Sequence, residues 1–168
     1  MEINESGMIF GPYEECKCCH IEKSQIYNRI QDGIKICEFL LLKEKQKILI
    51  VEAKSSSPHP STRPNFEDFI NEIYEKMLNT FSLYMACRLK RHGNHLFRLL
   101  PQKLNITNIK KLHVKFILVI PKHKEEWCSA LQDALHKKLH KTIKTWRLDA
   151  NSVAVINEAI ARAHKLIQ

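Results

Sequence analysis

The chain has 168 residues, of which 44% are hydrophobic and 27% charged, and its formal net charge is +9. This length suits one domain with a substantial core, and the composition excludes collagen-like, low-complexity and intrinsically disordered proteins. No apolar run approaches the roughly 20 residues that span a bilayer, and the amino terminus lacks the basic and apolar segments of a secretory signal. We therefore expect a single domain over residues 1–168, no membrane partner, a cytoplasmic location and cysteines that remain thiols.

The first half of the chain predicts a β-hairpin. The predicted elements are, in order, a short-stranded lead-in over 1–15, a strand over 16–23, a turn capped by Ser24, and strands over 34–42 and 48–54. The two long strands alternate in hydrophobicity and are joined by the charged connection 43–47. A connection of this length places Leu42 opposite Ile48 and, further along the same two strands, Glu38 opposite Glu52.

The second half predicts helices that alternate with strands. Its first elements are a loop over 55–64, a helix that Asn65 caps and that runs from near Phe66 to about His92, and a basic connection over 101–111. An interior strand over 114–120, a helix from Glu125, an edge strand over 145–148, a strand over 152–156 and a helix over 157–167 follow. Trp127 falls on the apolar stripe of the second helix. The expected fold is α/β, with a mixed central sheet flanked by helices on both faces, a core over about 20–120 and a C-terminal extension over 121–168.

Charge is distributed unevenly along the chain. Residues 1–75 carry nine basic and 13 acidic side chains, whereas residues 76–168 carry 18 basic and five acidic ones. From Lys76 to Lys124 there is no acidic residue. A long segment without acids favours a polyanionic partner such as nucleic acid, although a well-solvated basic face is the alternative.

The hairpin contains the most informative side chains. Its register places Glu38, Glu52 and Lys54 on one face, because side chains along a strand repeat with a period of two. Two opposed carboxylates about 5 Å apart repel by roughly 3 kcal/mol at an effective dielectric near 20. Mg²⁺ or Mn²⁺ removes this conflict, and a neighbouring lysine can then orient water and phosphate. The alternative is an ordinary salt bridge between Glu38 and a lysine such as Lys35 or Lys54.

At these residues the sequence resembles the PD-(D/E)XK nuclease superfamily, which has the restriction-endonuclease-like fold. Glu38 is followed after 13 residues by Glu52-Ala53-Lys54, and the predicted helix and apolar strand then follow in the family's order. The resemblance implies that Glu38, Glu52 and the carbonyl of Ala53 hold the metal and that Lys54 is catalytic. The chain departs from the pattern in having Glu where the first acid is usually Asp.

Other side chains are weaker candidates. Glu22 is a possible additional acid, as in some members of the family, or a plain helix-terminal charge. Glu72 and Lys76 have the spacing of a helical ion pair and are interpreted as only that. Cysteines Cys16 and Cys19 with histidines His92 and His95 make a zinc site conceivable but weakly indicated. The residues expected to contact nucleic acid are Ser55, Ser56, Arg88, Lys90 and Arg91.

These features lead to two main hypotheses about function, and a third and weaker one is an interaction protein, not a nuclease, whose basic surface meets an acidic protein or a membrane. The first is a nuclease dependent on Mg²⁺ or Mn²⁺ that hydrolyses phosphodiester bonds of DNA or RNA through Glu38, Glu52 and Lys54. The alternative is a catalytically inactive protein of the same fold that binds nucleic acid or a partner protein as a regulator. A homodimer is compatible with either hypothesis.

Overall fold

A computed structural model describes residues 1–168 and contains seven strands and five α-helices. The strands are β1 (Ile3–Glu5), β2 (Met8–Phe10), β3 (Cys18–Cys19), β4 (Phe39–Glu44), β5 (Lys47–Ala53), β6 (His113–Val119) and β7 (Val153–Ile156). The helices are α1 (Asn65–Arg88), α2 (Gly93–Leu99), α3 (Gln102–Ile106), α4 (Glu125–Trp146) and α5 (Glu158–Ala163). None of the helices combines the length and the apolar character needed to cross a membrane.

Five strands form one mixed sheet in the order β3-β4-β5-β6-β7. Strands β3, β4 and β5 are antiparallel neighbours, whereas β6 and β7 run parallel to β5 and are reached through helices. The short strands β1 and β2 form a separate two-stranded sheet, and Phe10 of β2 also forms an antiparallel bridge with Ile167. The chain therefore has the expected mixed α/β architecture, with β6 as an interior strand between β5 and β7.

The hairpin register predicted from the sequence is confirmed. Leu42 pairs with Ile48, and Leu40 pairs with Ile50. The first strand is shorter than predicted, however, because β4 begins at Phe39 and residues 34–38 lie before it. Part of this segment bonds to helix α1 instead of the sheet, since the backbone N–H of Cys37 donates to Thr80 Oγ1 at 2.7 Å.

The sheet separates two hydrophobic cores. The larger core contains inward residues of α1 and α4 packed on one face of the sheet, such as Tyr84 and Leu135. The smaller core lies on the other face and includes residues of the β1–β2 hairpin and Ala161 of α5. Strand β7, from the expected extension over 121–168, belongs to the main sheet and packs against α4.

Several predicted boundaries are wrong. The edge strand expected over 145–148 does not form, because helix α4 continues to Trp146 and Ile143 extends its buried stripe. Trp127 is not buried on that stripe and is 42% exposed. Helix α1 ends at Arg88, earlier than predicted, and the expected connection over 101–111 contains helix α3. Short helices of this kind have too few residues to display a clear period in the sequence.

Candidate functional site

The predicted carboxylates lie where the hairpin meets the middle of helix α1. Glu38 immediately precedes β4, and Glu52 is near the end of β5. Both continue the alternation that directs Leu40 and Ile50 into the core beneath α1, so they face this helix. Burial is nearly complete, since Glu38 is 6% exposed and Glu52 is 0% exposed. A pair of acids is thus inserted into an apolar sheet face, where each charge needs a partner.

Two lysines approach these carboxylates from different elements. Lys76 of α1 places its Nζ 2.7 Å from Glu52 Oε1 and 3.9 Å from Glu38 Oε1. Lys54, directly after β5, places its Nζ 3.6 Å from Glu52 Oε1 and 2.8 Å from Glu72 Oε1. The interpretation of Glu72 and Lys76 as a simple helical pair is therefore wrong, because each binds a residue from the β5 segment.

The lysines do not satisfy the carboxylates completely. The second oxygens, Glu38 Oε2 and Glu52 Oε2, are buried and have no hydrogen-bond partner. An unpaired buried acceptor costs roughly 1–3 kcal/mol, and more when it is charged. Each of these two oxygens could accept a hydrogen bond or bind a cation.

The electrostatics of the site follow from this burial. Burial raises the pKa of Glu38 to about 8, and the neighbouring acids Glu22 and Glu52 contribute in the same direction. Burial also raises the pKa of Glu52, although Lys76 opposes the effect. For Lys76 itself, burial acts to lower the pKa, but the nearby carboxylates outweigh it and the pKa is raised. Lys76 therefore stays charged, whereas burial disfavours the charged forms of Glu38 and Glu52.

Lys54 and Glu72 form an ion pair on the solvent-facing side of the site. Their side chains are 27% and 35% exposed, respectively, which makes them the members of the group nearest to solvent. The hydrogen bond from Lys54 lowers the pKa of Glu72. The site is thus layered, with buried acids inside and an ion pair outside. Ala53 is the last residue of β5, and its side chain packs into the smaller core on the opposite face of the sheet.

A second group of potential ligands adjoins Glu38. Glu5, His20, Glu22 and Glu38 each offer a ligand atom, and these atoms all lie within 4.8 Å of one another. The sequence had singled out Glu22 and Glu38, but it gave no indication of Glu5. The only indication of His20 in the sequence is that it lies two residues from Glu22, directly after β3. Burial lowers the pKa of His20.

The residues expected to contact nucleic acid are divided between two ends of the molecule. Ser55 and Ser56 are exposed and directly follow Lys54. Arg88, Lys90 and Arg91 lie at or just beyond the C-terminal end of α1, and the 12 residues from Lys76 to Arg88 correspond to about 18 Å of helix. The guanidinium of Arg88 donates to the carbonyl of Leu104 at 2.8 Å and to that of Thr107 at 2.6 Å.

Another set of basic and aromatic groups lies after the carboxyl ends of β5 and β6, as Lys54 does. Ser57 Oγ is 2.6 Å from His123 Nε2, which links the loop after β5 to the segment after β6. The exposed ring of Trp127 lies 5.5 Å from the ring of His123 and 5.7 Å from Lys124 Nζ. The helical spacing of Trp127 predicts a core position, so the sequence gives no indication of this group.

The conceivable zinc residues are not assembled. The group containing Glu5 and His20 is the only set of three or more potential ligands that the fold brings together, and it includes neither Cys16 and Cys19 nor His92 and His95. All six cysteines are free thiols. Comparison with protein-family models, with curated proteins and with solved structures finds no match for this chain.

Proposed function

We propose that the protein is a metal-dependent nuclease of the PD-(D/E)XK type. The observation that carries this proposal is the position of Glu38, Glu52 and Lys54 around the carboxyl end of β5, with two buried carboxylate oxygens that lack partners. The hairpin, the crossover helix α1 and the parallel strand β6 follow one another in the order that the resemblance implies. A restriction-endonuclease-like fold is accordingly part of the proposal.

The donor set suits a hard divalent cation. Glu38 and Glu52 offer carboxylate oxygens, to which the resemblance adds the carbonyl of Ala53, and such ligands match Mg²⁺ or Mn²⁺. Bound there, the cation would supply Lewis-acid polarisation of a phosphoryl oxygen and a more acidic water. For binding to occur, the ammonium of Lys76 must move away from Glu52 or share that carboxylate, since the two are 2.7 Å apart.

Lys54 is the group placed to act on the substrate. Its ammonium is partly exposed and contacts both Glu52 and the more exposed Glu72. In this position it can donate hydrogen bonds to an incoming phosphate or to a water molecule beside it, and it stabilises negative charge that develops on phosphorus. Glu72 holds the lysine in place by a 2.8 Å contact. We therefore assign Lys54 the catalytic role and Glu72 a positioning role.

The nucleic acid would approach along the sheet edge that carries Lys54. The exposed residues there include Ser55, Ser56 and the basic pair Lys122 and Lys124. Trp127 adds a solvent-exposed ring on which an unpaired base can stack. Positive charge next to the acids offsets their repulsion of a phosphate backbone.

The second candidate function is a nucleic-acid-binding protein of the same fold without turnover. Lys76 favours it, because its ammonium already neutralises Glu52 at 2.7 Å and approaches Glu38 at 3.9 Å. A lysine at this place can replace the cation instead of yielding to it. The complete burial of Glu52 points in the same direction, since a substrate cannot reach that side chain directly.

A cleavage assay distinguishes the two functions. Single- and double-stranded DNA and RNA, labelled at both ends, are incubated with the full chain in Mg²⁺, in Mn²⁺ or in EDTA. The nuclease requires metal-dependent cleavage that Glu52→Gln and Lys54→Met each reduce at least 100-fold, a size typical of a lost catalytic group. Glu44→Gln is the matched control, because Glu44 is an exposed acid of the same hairpin.

The outcome that contradicts the nuclease is equally specific. If the folded wild-type chain cleaves none of these substrates in either metal but binds them, the second function is correct. Lys76→Met then provides a further check, since removing its ammonium should increase metal affinity in a nuclease. A non-catalytic protein that uses Lys76 as its cation would instead lose stability, because the charge on Glu52 becomes unpaired.

Binding measurements locate the nucleic-acid surface. Under the proposal, Lys122→Ala with Lys124→Ala weakens binding and reduces the salt dependence of the dissociation constant by about two charges. The double variant Lys90→Ala with Arg91→Ala tests the alternative surface at the far end of α1. A stronger effect of this second variant would move the nucleic acid away from the carboxylates and would contradict the arrangement proposed for the site.

A further inference from the structure

A second group of potential ligands, which shares Glu38 with the proposed site, suggests a second metal position. The group comes from four parts of the chain: Glu5 ends β1, His20 follows β3, Glu22 lies in the next turn, and Glu38 precedes β4. Their ligand atoms lie within 4.8 Å of one another. Ligand atoms about 2.0–2.2 Å from a single ion lie at most about 4.4 Å apart, so only small adjustments are needed to enclose one.

Unpartnered atoms support a ligand at this place. Glu38 has a side chain that is 8% exposed, and its Oε2 is buried without a hydrogen-bond partner. His20 Nε2 is also buried without a hydrogen bond and lies 3.6 Å from Glu5 Oε1. Glu38 and His20 each contribute one of the ligand atoms that lie within 4.8 Å of one another, and a buried polar atom without a hydrogen bond is unfavourable. A shared cation would bind both residues at once.

The charge balance agrees with this. Three carboxylates meet here, and the cation nearest to Glu5 is Lys23, whose Nζ lies 2.7 Å from Glu5 Oε1. The side chain of Lys23 is 63% exposed, so water screens its charge and it contributes little to the buried part of the group. Lys76 lies 3.9 Å from Glu38 Oε1, but its closer partner is Glu52, at 2.7 Å. Apart from Lys76, the only lysine within ion-pair distance of the group is the exposed Lys23.

We infer that Glu5, His20, Glu22 and Glu38 form a binding site for a divalent transition-metal ion. The imidazole decides the class of ion, because Mg²⁺ and Ca²⁺ prefer oxygen ligands whereas Mn²⁺, Fe²⁺ and Zn²⁺ accept nitrogen and oxygen together. Glu38 lies between this site and Glu52, so its carboxylate is common to both. The inference concerns binding and holds whether or not the protein cleaves nucleic acid.

Electron paramagnetic resonance with Mn²⁺ alone as the probe tests the site on the full chain. We expect the wild-type chain to bind Mn²⁺ with a ¹⁴N coupling from an imidazole. His20→Ala should abolish this coupling and weaken Mn²⁺ binding at least tenfold, while His140→Ala, which removes an exposed histidine, leaves both unchanged. Competition should show that Mg²⁺ displaces the ion at least tenfold less effectively than Zn²⁺ does.

The possible results separate this inference from the proposed function. Lys54→Met removes the proposed catalytic group but not a ligand of this site, so the ¹⁴N coupling must survive even where cleavage is lost. Absence of the coupling in the wild-type chain at saturating Mn²⁺, or its persistence in His20→Ala, overturns the inference. Should His20→Ala fail to fold, the wild-type spectrum together with a tenfold loss of affinity in Glu5→Gln decides the question.

Discussion

Replacing Glu38 by Gln should make the metal-free protein more stable at alkaline pH, although Glu38 belongs to the proposed active site. The side chain is nearly buried, and one of its oxygens has no partner. At high pH the wild-type carboxylate is charged in this environment, next to Glu22 and Glu52. Glutamine has the same shape without the charge, so the substitution removes an unfavourable desolvation.

The size and sign of the effect follow from the pKa of Glu38. Burial raises it from 4.5 to about 8, so between these pH values the folded chain binds more protons than the unfolded chain. The free energy of unfolding therefore falls as pH rises through this window and does not recover above it. One additional bound proton corresponds to a slope of about 1.4 kcal/mol per pH unit, and the total loss amounts to a few kcal/mol.

Urea denaturation followed by circular dichroism measures this effect. The wild-type chain, Glu38→Gln and the exposed-acid control Glu44→Gln are unfolded in EDTA at pH 5, 6, 7, 8 and 9. Glu38→Gln should show a shallower decrease of stability with pH than the other two proteins, while Glu52 leaves some residual slope. Saturating Mn²⁺ should flatten the wild-type curve. Equal slopes in all three proteins would falsify the conclusion that burial destabilises the charged carboxylate of Glu38.

Three further substitutions test the packing around the site, each by its effect on the free energy of unfolding. Arg88→Ala should lose about 1–3 kcal/mol by leaving the carbonyl of Thr107 without its donor, with no change in nucleic-acid affinity; an unchanged stability contradicts its internal role. Gly11→Ala should cost about 1–3 kcal/mol, because φ is +108° and the new Cβ would lie 2.8 Å from Met1 O, whereas Gly7→Ala, with open space around it, should cost less. Leu135→Ala, at a fully buried position, should cost about 2–5 kcal/mol, and a value below 1 kcal/mol would contradict the packing of α4 on the sheet.

The hairpin shows how far local pattern can predict structure. Its register was predictable from the apolar alternation of the two strands, although both strands extend into the predicted connection and Glu44 pairs with Lys47. The same register brings Glu38 towards Glu52, and the interaction of both with a lysine follows from their positions. The identity of that lysine was not predictable, since Lys76 reaches Glu52 only through the packing of α1 on the sheet.

Segment ends and exposure were less predictable. Trp127 has the spacing of a core residue, yet it is exposed in the first turn of α4, beside His123 and Lys124. Arg88 is a basic residue that the sequence predicts to contact phosphate, but its guanidinium donates to the carbonyls of Leu104 and Thr107. Both cases depend on which surfaces meet, and a single helical period does not contain that information.

The sequence by itself determined the mixed α/β architecture, the pairing of the central hairpin and the placement of two acids and a lysine on one face. These features depend on periodicity and on short connections, both of which are local. Only the tertiary structure decided that Lys76 neutralises Glu52 and that Glu5 and His20 join Glu22 beside Glu38. Such contacts join residues from separate elements, and their energy comes from burying charges together, which depends on the folded core around them.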